Sequence, residues 1–265
     1  MDNFPYQMIS NLRPHTTTEW RLKVRVTRMW PKIDRRGETV GVNMIFVDEL
    51  AGRIHAWIPA HSFNMLQNLF NEGETYDVRN FVVRPYGAMQ TERCFRNDVY
   101  IQLYHMTQVV ATGGVDYIPR HVFQFTDLPA ITNAALQEDY LIDVIGIMEH
   151  VNPIMNYRNK YNQENSSITF TLNDMSISAE VTFYNELAQA FEQGIRDADE
   201  HPVILIISSC KSTFIRGEPN LSNLPPTRFF INHTHEAVDD FRNALRRKVY
   251  PTVEDTKGKQ VKEIQ

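Results

Sequence analysis

One order of elements occurs twice along this chain: three alternating strand patterns, a short amphipathic stretch, then two more strands, each time within roughly a hundred residues. The first occurrence runs from 20 to 112 and the second from about 123 to 247. The two share pattern and not sequence, so the duplication is one of fold, unlike the fixed period of a solenoid. Five strands with a helix between the third and fourth is the layout of the OB-fold, a small barrel whose second and third strands and two long loops form a ligand groove. That layout leaves other small barrels open within an all-β class with short helices; two tandem five-stranded OB-fold barrels are the arrangement expected.

The first strand pattern shows the alternation most plainly. Trp20, Leu22, Val24 and Val26 fall on one face and Arg21, Lys23 and Arg25 on the other. A turn at 31–39 carries Lys32, Arg35, Arg36 and Gly37, and strands follow at 42–47 and 53–58. In the latter Ile54, Ala56 and Ile58 share the inner face, which leaves Arg53, His55 and Trp57 outside. Phe63, Leu66, Leu69 and Phe70 recur at helical spacing within 61–73, before Gly73. Strands at 75–83 and 99–110 flank a loop holding Arg84, Tyr86, Arg93, Phe95 and Arg96.

The second half repeats the order, with strands at 140–148, 168–172, 177–184, 203–209 and 228–232 and helices at 186–194 and 235–248. A long polar loop at 152–167 contains Arg158 and Tyr161. The expected organisation is an N-terminal arm (1–18), a first barrel (19–112), a connecting segment (113–138), a second barrel with its C-terminal helix (139–250) and a disordered tail (251–265).

The net charge of −5 argues mildly against nucleic acid, and its distribution changes that reading. Residues 20–112 hold 12 Lys and Arg against 9 Asp and Glu, whereas residues from 113 onward hold 14 against 21. Phosphate binding is thus expected mainly in the first half. Cys94 and Cys210 fall one in each half, which supplies neither a disulfide framework nor a cysteine zinc site. His233 and His235 lack a third ligand, so no metal, and no cofactor, is expected. With no phosphate loop, nucleophile elbow or metalloprotease helix, no enzyme is expected either. No apolar stretch has membrane length and the start of the chain lacks the apolar core of a signal peptide, so no membrane partner is expected.

At residue level, the run from Trp20 through Trp30, with Phe46-Val47-Asp48-Glu49 and Gly52-Arg53-Ile54-His55-Ala56, resembles the first DNA-binding barrel of the plant-type large subunit of replication protein A and its paralogues. Ile9-Ser10-Asn11-Leu12-Arg13-Pro14 fits the same proteins. Tyr140 through Ile147 and Lys211-Ser212-Thr213-Phe214 resemble the next barrel of those proteins. The resemblance implies single-stranded DNA binding in a nuclear protein of replication, repair or recombination, through one aromatic on the third strand and one in the later loop of each barrel. It places those roles on Tyr184 and Phe214 in the second barrel, with Arg158, Tyr161, Lys211 and Arg216 as neighbouring contacts. In the first barrel the third-strand position falls at Pro59, with Trp57 one strand period earlier on the same face; Tyr86 or Phe95 supplies the loop partner. Lys32, Arg35, Arg36, His55, Arg84, Arg93 and Arg96 complete the expected contacts. Stacking tolerates any base, because every base has a π-face, while cations track the backbone.

A second reading is an interaction module that keeps the barrels but assembles with partner subunits without strong nucleic-acid binding. The acidic second half favours it. The resemblance also implies other replication protein A-type subunits as partners through the last helix, where Phe241 and Leu245 share a face; packing of that helix on its own barrel accounts for the face equally well.

Overall fold

The computed structural model describes residues 5–14, 17–88, 90–137 and 139–249. The tail expected at 251–265, and residues 1–4 and 15–16 of the expected arm, lie outside them. The chain divides into two compact units, Met1–Gln124 and Phe125–Gln265. That division falls inside the expected connecting segment: from Phe125 the chain belongs to the second unit, where Phe125 bridges Asp143 and the Thr126 N–H donates to the Asp143 carbonyl.

In the first unit β1 (Arg21–Ile33), β2 (Thr39–Val47) and β3 (Arg53–Pro59) form an antiparallel meander, followed by α1 (Ala60–Leu66), β4 (Thr75–Arg79), β5 (Val82–Pro85), β6 (Val99–Gln102) and β7 (Gln108–Ala111). The strand order is β5-β6-β3-β2-β1-β4-β7. β4 and β5 are one strand broken at Asn80, whose φ is 57°, and β6 and β7 are another broken at 103–107. The ring closes because β4 pairs with β1 while β6 pairs parallel with β3. Leu22, Val24, Val26, Met44, Phe46, Ile54, Ala56, Ile58 and Phe81 fill it. Each large apolar side chain among them, fully buried, contributes roughly 1.5–3 kcal/mol.

Three expectations change here. The helix is shorter than 61–73: it ends at Leu66 and continues only as a 3-10 turn, Gln67–Leu69. The Asn71 N–H then donates to the Tyr76 hydroxyl at 2.7 Å, which a helical N–H could not do. The outward cations of β1 are also not an open basic face. Arg21 pairs with Asp77 at 2.7 Å, and Arg25 is buried, donating to the carbonyls of Gly73, Val115 and Ile118. Finally, β1 runs past 26 into the expected turn, with a register shift between Val26 and Arg28. That bulge reverses the alternation, so Met29 packs on the core and Trp30 and Lys32 face outward.

The second unit opens with α2 (Ile131–Leu136), then β8 (Ile142–Glu149), β9 (Met155–Arg158), β10 (Glu164–Asn173), β11 (Ser178–Tyr184), α3 (Asn185–Arg196), β12 (Ile204–Ile215), β13 (Glu218–Ser222), β14 (Arg228–Ile231) and α4 (Glu236–Val249). β8, β10, β11, β13 and β12 close a ring in that order, with β11 and β13 parallel. Phe170, Phe183 and Phe191 pack with ring centroids 4.4–5.3 Å apart at its centre. Two expected loops are strands. Residues 152–167 hold β9, which pairs with β10 across a turn where the Asn159 Oδ1 accepts from the N–H groups of Tyr161 and Gln163. Lys211 and Phe214 lie in β12, which runs straight into a hairpin at Arg216-Gly217. Alternation alone ends this strand at 209, because a bulge between Ile207 and Cys210 interrupts it.

The duplication extends to hydrogen bonds. Asp48 ends β2, accepts from the N–H groups of Leu50 and Gly52 in the next turn, and holds the entering segment through the Ile9 N–H; Asp174 does the same with Ser176, Ile177 and Leu128. Thr107 donates its hydroxyl to the carbonyl of positive-φ Asn80 and accepts from the Tyr104 N–H; Thr227 repeats this with Ser209 and Leu224.

Candidate functional site

Cross-strand partners share a face, so the β1–β2–β3 registers give the outward surface of the first barrel row by row. Trp30 lies opposite Asn43, which lies opposite Trp57; Lys32, Gly41 and Pro59 form the next row; Arg28, Ile45 and His55 the one before. Trp57 lies over Gly41, where a Cβ would meet the indole at 2.3 Å and the Ile58 carbonyl oxygen at 2.4 Å. The face ends at the exposed turn that carries Arg35 and Arg36. Its sharp bend is set by Asp34, whose Oδ1 accepts from the Arg36 and Glu38 N–H groups, and by Gly37 at φ 83°. Trp57 therefore stands where parity puts it. Asn43 joins it through the alternation of Val42, Met44 and Phe46, and Trp30 joins it because the bulge in β1 turns it outward.

The other end of this face is covered by the 86–98 loop. His55 is half-buried there, with Nδ1 at 2.5 Å from the Tyr86 hydroxyl and Nε2 accepting from the Cys94 N–H. Burial, and the nearby Arg28, Arg53 and Arg93, push its pKa down to about 3. It is a neutral ring. Phe95 is also not an exposed loop aromatic: it is 5% exposed, with its ring 4.7 Å from His55 and Arg53 over its face. Tyr86 is half-buried with Arg93 stacked 4.3 Å from its centroid. Arg84 and Arg96 are placed at the two ends of the loop, and Arg84 is exposed.

In the second barrel β10 and β11 present a different surface. Ser167, Thr169 and Thr171 lie opposite Tyr184, Thr182 and Glu180. The groove above them, about 740 Å³, is walled by the β9–β10 hairpin at Tyr157 and by the β12–β13 hairpin at Ile215, Arg216 and Glu218. Tyr184 lines the same groove: burial, then Tyr157 and Glu180, push its hydroxyl above the ordinary value. Phe214 is 43% exposed on the β12 hairpin, opposite Pro219, which lines the groove. Tyr161, 72% exposed, tips the other hairpin with Lys160 at 5.0 Å, while Arg158 pairs with Glu164. Lys211 is half-buried within β12. Tyr157 is not among the expected contacts, although Arg158 and Tyr161 of the same segment are.

Among the described residues no group of three His, Cys, Asp or Glu is placed to hold a metal, and no helix is long and apolar enough to cross a membrane. His233 and His235 accept from backbone N–H groups where α4 begins. On α4 Val238 is buried, and Arg242 pairs with Glu200 at 2.8 Å.

Comparison with known proteins matches both halves. Residues 10–134 fit a family described as a domain of unknown function, DUF223, and residues 131–231 fit the replication protein A OB domain. The chain is 28% identical over 197 residues to one replication protein A 70 kDa DNA-binding subunit of Arabidopsis thaliana, covering 71% of this chain and 32% of that protein. It is 25% identical over 252 residues to another from the same plant (91% and 31%), and 28% identical over 233 residues to a third from Oryza sativa subsp. japonica (84% and 34%). The chain thus spans about a third of the length of these relatives. A solved structure of a replication protein A heterotrimer bound to single-stranded DNA superimposes with a TM-score of 0.58 at 19% identity, over 93% of this chain and 56% of that one.

Proposed function

We propose that this chain, a replication protein A 70 kDa-like protein with two OB folds, binds single-stranded DNA and acts in the nucleus in replication, repair or recombination. The observation that carries the reading is the row Trp30, Asn43 and Trp57 beside Lys32, Arg35 and Arg36. Two indoles give flat surfaces on which bases stack at about 1–3 kcal/mol each, and the cations at one end meet the phosphates. In the second barrel Tyr184, Tyr157 and Phe214 play the stacking part, with Arg216 at the rim and Arg158, Tyr161 and Lys211 as outer contacts. Tyr86 with Arg93, and Arg84 and Arg96, extend the first surface, while His55 and Phe95 hold the loop that shapes it.

The test is fluorescence anisotropy with a labelled strand of about 30 nucleotides against its duplex. The single strand should bind in preference, and affinity should fall steeply with salt. Substituting Arg35→Ala with Arg36→Ala should reduce the salt slope by about 1.4, at about 0.7 for each single-strand phosphate no longer neutralised. No association at low salt would remove the reading.

A second reading has its own support: acids outnumber bases from residue 113 onward, and α4 carries exposed Arg246 and Arg247. On that reading α4 docks other replication protein A-type subunits, and a stoichiometric complex lost on removing residues beyond 235 would support it.

A further inference from the structure

The groove of the second barrel presents a difficulty for a surface that meets DNA: among the described residues its lining contains the carboxylates Glu180 and Glu218 against the single cation Arg216. On the floor the Thr169 and Thr182 hydroxyls lie 3.3 Å apart and bond each other, which adds no charge. Glu180 is nonetheless exposed and held in place. The Asn220 Nδ2 donates to its Oε1 at 3.0 Å from a side chain only 1% exposed. The orientation of that amide is fixed by the carboxylate, because the reverse one would set Oδ1 against it. The result is that the Asn220 Oδ1 is buried with no partner among the described residues. A buried acceptor left unsatisfied is destabilising and uncommon, and here it accompanies the positioning of one carboxylate.

We propose, resting on the single-strand reading above, that this groove is a guanine-selective base site in which Glu180 accepts hydrogen bonds from the guanine N1–H and N2 amino group, with Asn220 as its positioning residue. Glu180, Thr182 and Tyr184 alternate along the outward face of β11, which sets the Cα atoms of Glu180 and Tyr184 about 13 Å apart along the strand. A base lying over Thr182, against the Tyr184 ring, turns its edge toward Glu180. Of the four bases guanine alone offers two adjacent donors on its pairing edge. Adenine and cytosine offer an amino group beside a ring-nitrogen acceptor, and the thymine N3–H stands between two carbonyl oxygens that a carboxylate repels. Acidic character here serves recognition of the base, and the phosphates run along the rim at Arg216.

The experiment uses the full chain and labelled strands of about 30 nucleotides: thymine–guanine repeats, thymine–hypoxanthine repeats, which lack the N2 amino group, and oligothymidine. Guanine strands should bind about tenfold more tightly than oligothymidine, with hypoxanthine between them. Glu180→Gln should bring the three together while oligothymidine affinity is kept or improved. A ratio unchanged in the variant overturns the proposal, as does an equal gain for all strands, which would make Glu180 only a repeller of phosphate. Absence of binding to every strand by the unaltered protein overturns the single-strand reading itself, and this proposal with it.

Discussion

Trp57 and Trp30 reach the same surface by different routes. Trp57 is placed by simple alternation with Ile54, Ala56 and Ile58, so its outward position is legible from four residues. Trp30 is not, because strict parity from Leu22, Val24 and Val26 points it inward and one bulge reverses it. Either Trp57→Ala or Trp30→Ala should weaken single-strand binding by about 1–3 kcal/mol at every salt concentration, as measured by anisotropy. Two titrating residues give the first unit a defined acid response. His55 is held neutral with a pKa of about 3, so the unfolded chain binds the extra proton and stability declines as pH falls from about 6.5 toward 3. Between pH 6.5 and 5 the loss is about 2 kcal/mol, and His55→Gln should flatten that part of a urea-unfolding profile. Asp77 acts lower. Burial raises its carboxyl, but hydrogen bonds from Arg21 and Arg79 prevail and hold it at about 2. Its contribution is present above about 3.8 and is lost as pH falls through 2.

Among the elements, the strands that alternate cleanly are readable and the hairpins that wall the second groove are not. β9 exposes all four of its residues, so it carries no burial pattern; what makes it a strand is its pairing with Glu164–Ser167, a relation between segments and not within one. β12 crosses a bulge and changes its pattern midway. The two barrels share a device that no periodicity reveals, a loop threonine tied to the carbonyl of a positive-φ residue: Thr107 to the carbonyl at Asn80, Thr227 to the carbonyl at Ser209. Thr107→Val and Thr227→Val each leave a backbone carbonyl and an N–H without the hydroxyl they share. Each should lower the stability of its own barrel by about 1–3 kcal/mol in chemical denaturation, and leave the other barrel unchanged.

Over the whole molecule, charge separates the units more sharply than fold does. The first carries the surplus of cations and an indole-lined face; the second carries the surplus of acids and a groove of hydroxyls, phenols and one carboxylate pair. Expressed separately, residues 1–124 should bind single strands with a steeper salt dependence than residues 125–265, since counterion release scales with the phosphates neutralised. Equal slopes in anisotropy titrations would show that the acidic unit contacts as many phosphates as the basic one. The duplication, the barrel class, the inner faces and the outward placement of Trp57 are all written in the chain itself, because they depend on local period and on the order of elements. That Trp30 lies in one row with Asn43 and Trp57, that Phe95 and His55 are covered, and that Tyr157 and Glu180 share a groove emerge only on folding. Those facts depend on strand register, on bulges that shift it by one residue, and on which hairpin folds over which face, and none of these leaves a periodic trace in the chain.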